Sequence, residues 1–228
     1  MSNTMNLTLR VLARLLGYPD AELRAHLGDL QAALLSEGAL GAARQAELEA
    51  LMRNLASRDP IELEADYVQL FDRGRSTSLH LFEHVHGDSR DRGPAMIDLA
   101  QTYEQAGLYL AEGELPDYLP VVLEFVSTQP IREARALLGE MAHILNAIFS
   151  ALVKRESAYA SVLGALLEIA GHKAQAVKVA DEPALDESWE EPAVFGGCST
   201  EGQAKPGQPQ PVRIVRNEAL RVRATQGA

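Results

Sequence analysis

The sequence predicts an all-α fold: a single bundle-like domain of about eight helices over residues 1–180, followed by a C-terminal tail of little fixed structure over 181–228. Three observations carry this reading. Hydrophobic residues make up 46% of the chain and are mostly Leu and Ala, which favour helix, while aromatics are only 5%. Apolar positions recur every three or four residues as far as about residue 180, and β-branched runs of strand length are nearly absent. From Asp181 the character changes. "DEPALDESWEEP" is acidic, "GGCSTEGQAKPGQPQP" is rich in Gly, Pro and Gln, and "VRIVRNEALRVR" is basic. The Gly/Pro/Gln stretch buries too little apolar area to offset chain entropy.

The helices follow in order. Leu7, Val11, Leu12, Leu15 and Leu16 form one stripe, stopped by Gly17, Tyr18 and Pro19. A second helix is expected from Asp20 to Ser36, with Leu23, Leu27, Leu30 and Leu34 on one face. Gly38 and Gly41 separate it from a third carrying Leu48, Leu51 and Leu55. Asp59 reads as an N-cap, with Pro60 in the first turn and Glu62 at capping-box spacing. After Phe71, "DRGRSTS" reads as loop. Helical order returns with Met96, Leu99, Tyr103 and Ala106 on one face, breaks at "AEGELPDYLP", and resumes briefly in "VVLEFVS". Pro130 is expected to open the longest helix, with Leu137, Leu138, Met141, Ile144, Leu145 and Ile148 facing inward. A last helix covers Ser157 to His172. No fixed-period repeat is present.

Charge and cysteine content narrow the function. A net charge of −11 and a pI near 5.0 argue against nucleic acid, which demands a basic patch, and favour a basic partner. The single cysteine, Cys198, excludes an internal disulfide and multi-cysteine zinc or iron–sulfur sites, and suits a reducing compartment. The N-terminus has no charged region ahead of an apolar stretch, so it does not read as a signal peptide. The most apolar window, Met141 to Val153, is too short to span a bilayer and holds His143 and Asn146. A cytoplasmic protein without direct membrane insertion is expected.

The densest chemistry lies in "LHLFEHVHGDSRDRG", residues 79–93, which holds His80, His84 and His86. In a helix, His80 and His84 would share a face at i and i+4, with Glu83 and Asp88 as further metal ligands. His86 leaves that face, however, and the run lacks the H-E-x-x-H pattern and its general base. No nucleophile elbow, Walker loop or dinucleotide-binding glycine pattern occurs, and Cys198 sits in the tail, so the chain does not read as an enzyme. A plainer reading has Leu79, Leu81, Phe82 and Val85 anchoring the segment while its charges face water. Between Gly87 and Gly93, Asp88, Arg90, Asp91 and Arg92 would either lock the loop by ion pairing or grip a peptide. On the residues alone, scaffold and peptide grip stay evenly matched.

Two longer stretches resemble a known family. "YVQLFDRGRSTSLHLFEHVHGDSRDRGPAMIDL" (67–99) and "ELPDYLPVVLEF" (114–125) are similar to the nitrate-reductase molybdenum-cofactor assembly chaperones, the delta-subunit or NarJ-type proteins of the redox-enzyme maturation superfamily. The second stretch resembles that superfamily's Glu-Pro-x-Asp-His motif in Glu114, Pro116 and Asp117, although Pro116 is displaced by one and Tyr118 stands where His is usual. The likeness extends from residue 7 to about 195. It implies an all-helical cytoplasmic chaperone that binds the N-terminal segment of the catalytic (alpha) subunit of a respiratory nitrate reductase. Such a chaperone keeps the apoenzyme competent for cofactor insertion and delays membrane attachment. No cofactor would be held stably; the molybdenum cofactor is the client's cargo. The residues expected at the client peptide are Glu83, His84, His86, Asp88, Asp91, Asp117 and Tyr118, with Arg90 and Arg92 orienting the loop. The alternatives are a histidine-centred metal protein or hydrolase, and a permanent accessory subunit of the reductase.

Overall fold

Leucines at helical spacing build the architecture, and a computed structural model describes it for residues 5–85 and 90–177. The helices are α1 (Asn6–Leu16), α2 (Ala21–Ala25), α3 (Leu27–Glu37), α4 (Ala42–Ser57), α5 (Pro60–Tyr67), α6 (Leu81–Val85), α7 (Arg92–Gln105), α8 (Leu119–Thr128), α9 (Ile131–Glu140), α10 (Ala142–Lys154) and α11 (Ala160–Ile169). A π-helical turn, Val68–Asp72, and a 3-10 turn, Arg75–Thr77, connect α5 to α6. Among the described residues there is no strand, only an isolated antiparallel bridge between His80 and Tyr118. Residues Met1–Glu182 form one unit and Pro183–Ala228 another; the second, with the predicted tail and Cys198, lies outside the described residues.

The fold class is the expected one, but the described residues hold eleven α-helices where about eight were read from the sequence. Two expected long helices are each broken. Asp20 caps α2 by accepting the Leu23 N–H at 2.7 Å, yet His26 (φ −104°, ψ 8°) leaves the helical region and α3 starts afresh. The helix expected after Pro130 bends by 63° between α9 and α10, at Met141 (φ −86°, ψ −4°). Across that bend Leu138, Ile144, Leu145 and Ile148 are buried, while Leu137 and Met141 are half-buried and pack against the core. The longest described helix is therefore α4, with 16 residues. Neither hinge residue is Pro or Gly, although Gly28 and Gly139 each lie two residues from a hinge and weaken the helix there. Two smaller expectations also change: Leu7 is 47% exposed, and Ala106 is an exposed C-cap of α7.

The centre is made by α1 and α11. Leu9, Leu12, Leu15 and Leu16 of α1 are fully buried between α3 and α8, and Val162, Leu163, Leu166 and Leu167 of α11 pack against α4, α9 and α10. Each such leucine contributes about 1.5–3 kcal/mol of transfer free energy. Asp59 caps α5 as expected, accepting the N–H groups of Ile61 (2.9 Å) and Glu62 (3.2 Å). The π turn that follows puts Tyr67 and Phe71 on one side, where they pack with Tyr18 and Tyr159 at centroid distances of 4.8–6.1 Å.

Candidate functional site

Residues 78–85 and 116–119 meet across the antiparallel bridge. The Leu119 N–H donates to the Leu79 carbonyl at 2.8 Å, and the Leu81 N–H to the Asp117 carbonyl at 3.0 Å. Pairing here brings the Asp117 side chain under the first turn of α6. Its Oδ2 accepts the Phe82 N–H at 3.1 Å, and its Oδ1 lies 3.3 Å from His80 Nδ1. Arg92, at the head of α7, sits 3.7 Å from Asp117 and 3.7 Å from Glu83, joining the two carboxylates. The hydrogen bond to Asp117 raises the His80 pKa, and burial and Arg92 pull it the other way.

Two neighbours complete this polar frame. The His84 Nε2–H donates to the Ser78 carbonyl at 2.8 Å, closing the loop that precedes α6. Tyr67 uses its one hydroxyl proton on the Leu16 carbonyl at 2.7 Å, so at 3.1 Å it is Tyr118 that donates to Tyr67. Burial, first among the causes, pushes both phenols above their usual pKa. The Tyr118 ring also lies 5.3 Å from the His80 imidazole.

Beside the frame runs an apolar cleft of about 210 Å³. Its walls are Leu81, Phe82 and Val85 of α6, Leu99 and Tyr103 of α7, Val122, Phe125 and Val126 of α8, and Leu137, Met141 and Ile144 at the α9–α10 bend; Glu140 stands at its edge. Tyr103 is fixed twice, by stacking on Phe125 at 4.8 Å and by donating to the Pro116 carbonyl at 2.8 Å. On the far side of that ring pair lies a second cavity of about 380 Å³, which Arg10, Tyr109, Glu114 and Glu124 help to line.

The residues predicted at the site separate into three groups. Glu83, His84, Arg92, Asp117 and Tyr118 come together, but as the frame of α6 and α7. Asp117, expected to meet a client, is fully buried and its carboxylate is engaged by Phe82, His80 and Arg92, so it holds the scaffold. Arg90 and Asp91 are exposed in the turn before α7. His86 and Asp88 lie outside the described residues. His80 and His84, considered together as metal ligands, turn to different partners, because α6 begins only at Leu81. Among the described residues no group of three or more His, Cys, Asp or Glu is placed to hold a metal ion. The cleft walls Tyr103, Phe125, Leu137 and Met141 are not among the residues expected at the site from the sequence. Tyr103 and Phe125 had a signal, as two of the chain's few aromatics flanking the second motif.

Residues 19–163 match the sequence pattern of the nitrate reductase delta subunit. NarJ of Escherichia coli strain K12, named a nitrate reductase molybdenum cofactor assembly chaperone, is 44% identical over 196 residues, covering 82% of this chain and 83% of that protein. The chain belongs to the nitrate reductase delta subunit family. NarJ of Bacillus subtilis strain 168 is 37% identical over 161 residues, covering 71% of this chain and 86% of that protein. A crystal structure of an Archaeoglobus fulgidus protein assigned to redox enzyme maturation shares the fold, with a TM-score of 0.54 at 23% identity over 72% of this chain and 92% of that one. The delta-subunit match runs from α2 into α11, so the frame and the cleft both lie within the family's shared region.

Proposed function

We propose that this chain is a system-specific chaperone of nitrate reductase maturation, whose cleft between α6, α7, α8 and the α9–α10 bend takes the N-terminal segment of the reductase's catalytic (alpha) subunit. The names of its relatives supply the maturation role. The observation that carries the peptide reading is the apolar cleft with partly exposed walls, Val85 at 53% among them, on a chain of net charge −11. A client segment that is apolar on one face and basic on the other folds as a helix into such a groove. Apolar contacts supply most of the affinity, and the carboxylates steer approach and set orientation. Glu83, His84, His86, Asp88, Arg90 and Asp91 are proposed as polar contacts to the client, with Arg92 ordering the loop.

In this reading the chaperone performs no catalysis and holds no cofactor of its own; the molybdenum cofactor enters the client while the client is held. Its working place is the cytoplasm. Consistent with that, no single described helix is long and apolar enough to cross a membrane.

The test is titration of the client's N-terminal peptide into the full chain and into Val85→Asp. Val85 is exposed on the cleft, so the charge should leave the fold within about 0.5 kcal/mol and weaken binding about tenfold or more. Equal binding by the variant rejects the cleft. Copurification with the mature reductase as readily as with its cofactor-free form favours the permanent-subunit alternative, and stoichiometric zinc or iron favours the metal protein.

A further inference from the structure

We propose that His80 is a positioning residue for the cleft: with Asp117 and Arg92 it forms a latch that holds α6 and the head of α7 to the bend before α8, and so sets the cleft's width. The proposal rests on the cleft being the client site. Asp117 is the one fully buried charged side chain among the described residues. Burying a carboxylate is unfavourable unless cations and hydrogen bonds compensate it. The Phe82 N–H alone does not explain a charge there, since an Asn oxygen would accept it equally well. What an Asn would lose is the pairing with His80 and Arg92, each of which leads into one of the two helices.

Those helices bury few of their own residues. At five residues α6 is far too short to be stable alone, and it buries only Leu81. Of the fourteen residues of α7, only Tyr103 is buried. Arg92 therefore fixes the head of α7 and Tyr103 its last turn, while His80 and Asp117 fix the start of α6. Leu81, Phe82, Val85, Leu99 and Tyr103 then form one side of the cleft. His80 touches none of the cleft itself and acts through the backbone of Leu81 and Phe82.

The test uses the full chain with His80→Leu, which removes the polar nitrogen, and His80→Asn, whose side-chain N–H₂ falls near the Nδ1 position. Amide hydrogen exchange is followed at Leu81 and Phe82, with Leu163 in α11 as the control, and client-peptide binding is titrated in parallel. His80→Leu should speed exchange at Leu81 and Phe82 about tenfold or more, leave Leu163 unchanged, and weaken the peptide. His80→Asn should restore most of both. In an Asp117→Asn background, or Arg92→Gln should Asp117→Asn not fold, His80→Leu should add little further. Equal acceleration at Leu163, purely additive effects, or opened amides with unaltered peptide binding each overturn the latch. If the wild-type chain takes up no peptide, the function reading fails, and the exchange arm still judges whether the latch exists.

Discussion

Tyr103 and Phe125 stack at 4.8 Å with their planes 41° apart, and together they form the partition between two cavities. Tyr103 is the buried residue of α7, and its hydroxyl donates to the buried Pro116 carbonyl at 2.8 Å. Tyr103→Phe should keep the partition but leave that carbonyl without its partner, a cost of about 1–3 kcal/mol. Tyr103→Ala should join the cavities and cost about 3–5 kcal/mol. Urea denaturation of both variants checks the order; no loss in Tyr103→Phe would mean the hydroxyl contributes nothing, and equal losses would mean the ring adds nothing to it.

His80 sets a pH dependence whose sign follows from its raised pKa. Asp117 and Glu83 favour its protonated form, while burial and Arg92 oppose it. A folded value above the unfolded one means the stabilisation is complete below about pH 6.5 and disappears as pH rises through the folded value. Unfolding midpoints measured from pH 5.5 to 8.5 should therefore fall more for the native chain than for His80→Asn. Parallel curves would show that folding leaves the His80 pKa where it was.

Gly74 should tolerate no side chain. A Cβ there would lie 2.6 Å from the Leu70 carbonyl and 2.7 Å from the Arg155 guanidinium, and would press on the Thr77 hydroxyl as well. The arginine can swing away, but the carbonyl belongs to the π turn and cannot. Gly74→Ala should cost about 1–3 kcal/mol in a denaturation series, as overpacking does.

Asp59 holds two N–H groups at the start of α5. Asp59→Ala should lower stability by about 1 kcal/mol, and Asp59→Asn should recover most of it; thermal melts of the two variants suffice to decide.

The helices were legible because burial at three- and four-residue intervals is written directly into a chain: the stripes through Leu12, Leu48 and Ile148 pointed inward as read. The Asp59 cap was legible for the same local reason, since it bonds to N–H groups two or three residues away. The breaks at His26 and Met141 were not, because the apolar stripes run on through both hinges, and the nearby Gly28 and Gly139 are tolerated in many continuous helices.

The charged run at 79–93 shows the limit most sharply. Its composition announced a polar site, and two motifs pointed to one family, but which charges face a partner is not a local property. Asp117 finds His80 across 37 residues of sequence, and that pairing decides that the carboxylate is scaffold. The cleft likewise draws its walls from four separate stretches of chain, each of them ordinary apolar helix in isolation. Periodicity says which side of a helix is buried. Only the assembled helices decide which apolar faces cover one another and which are left with a gap between them.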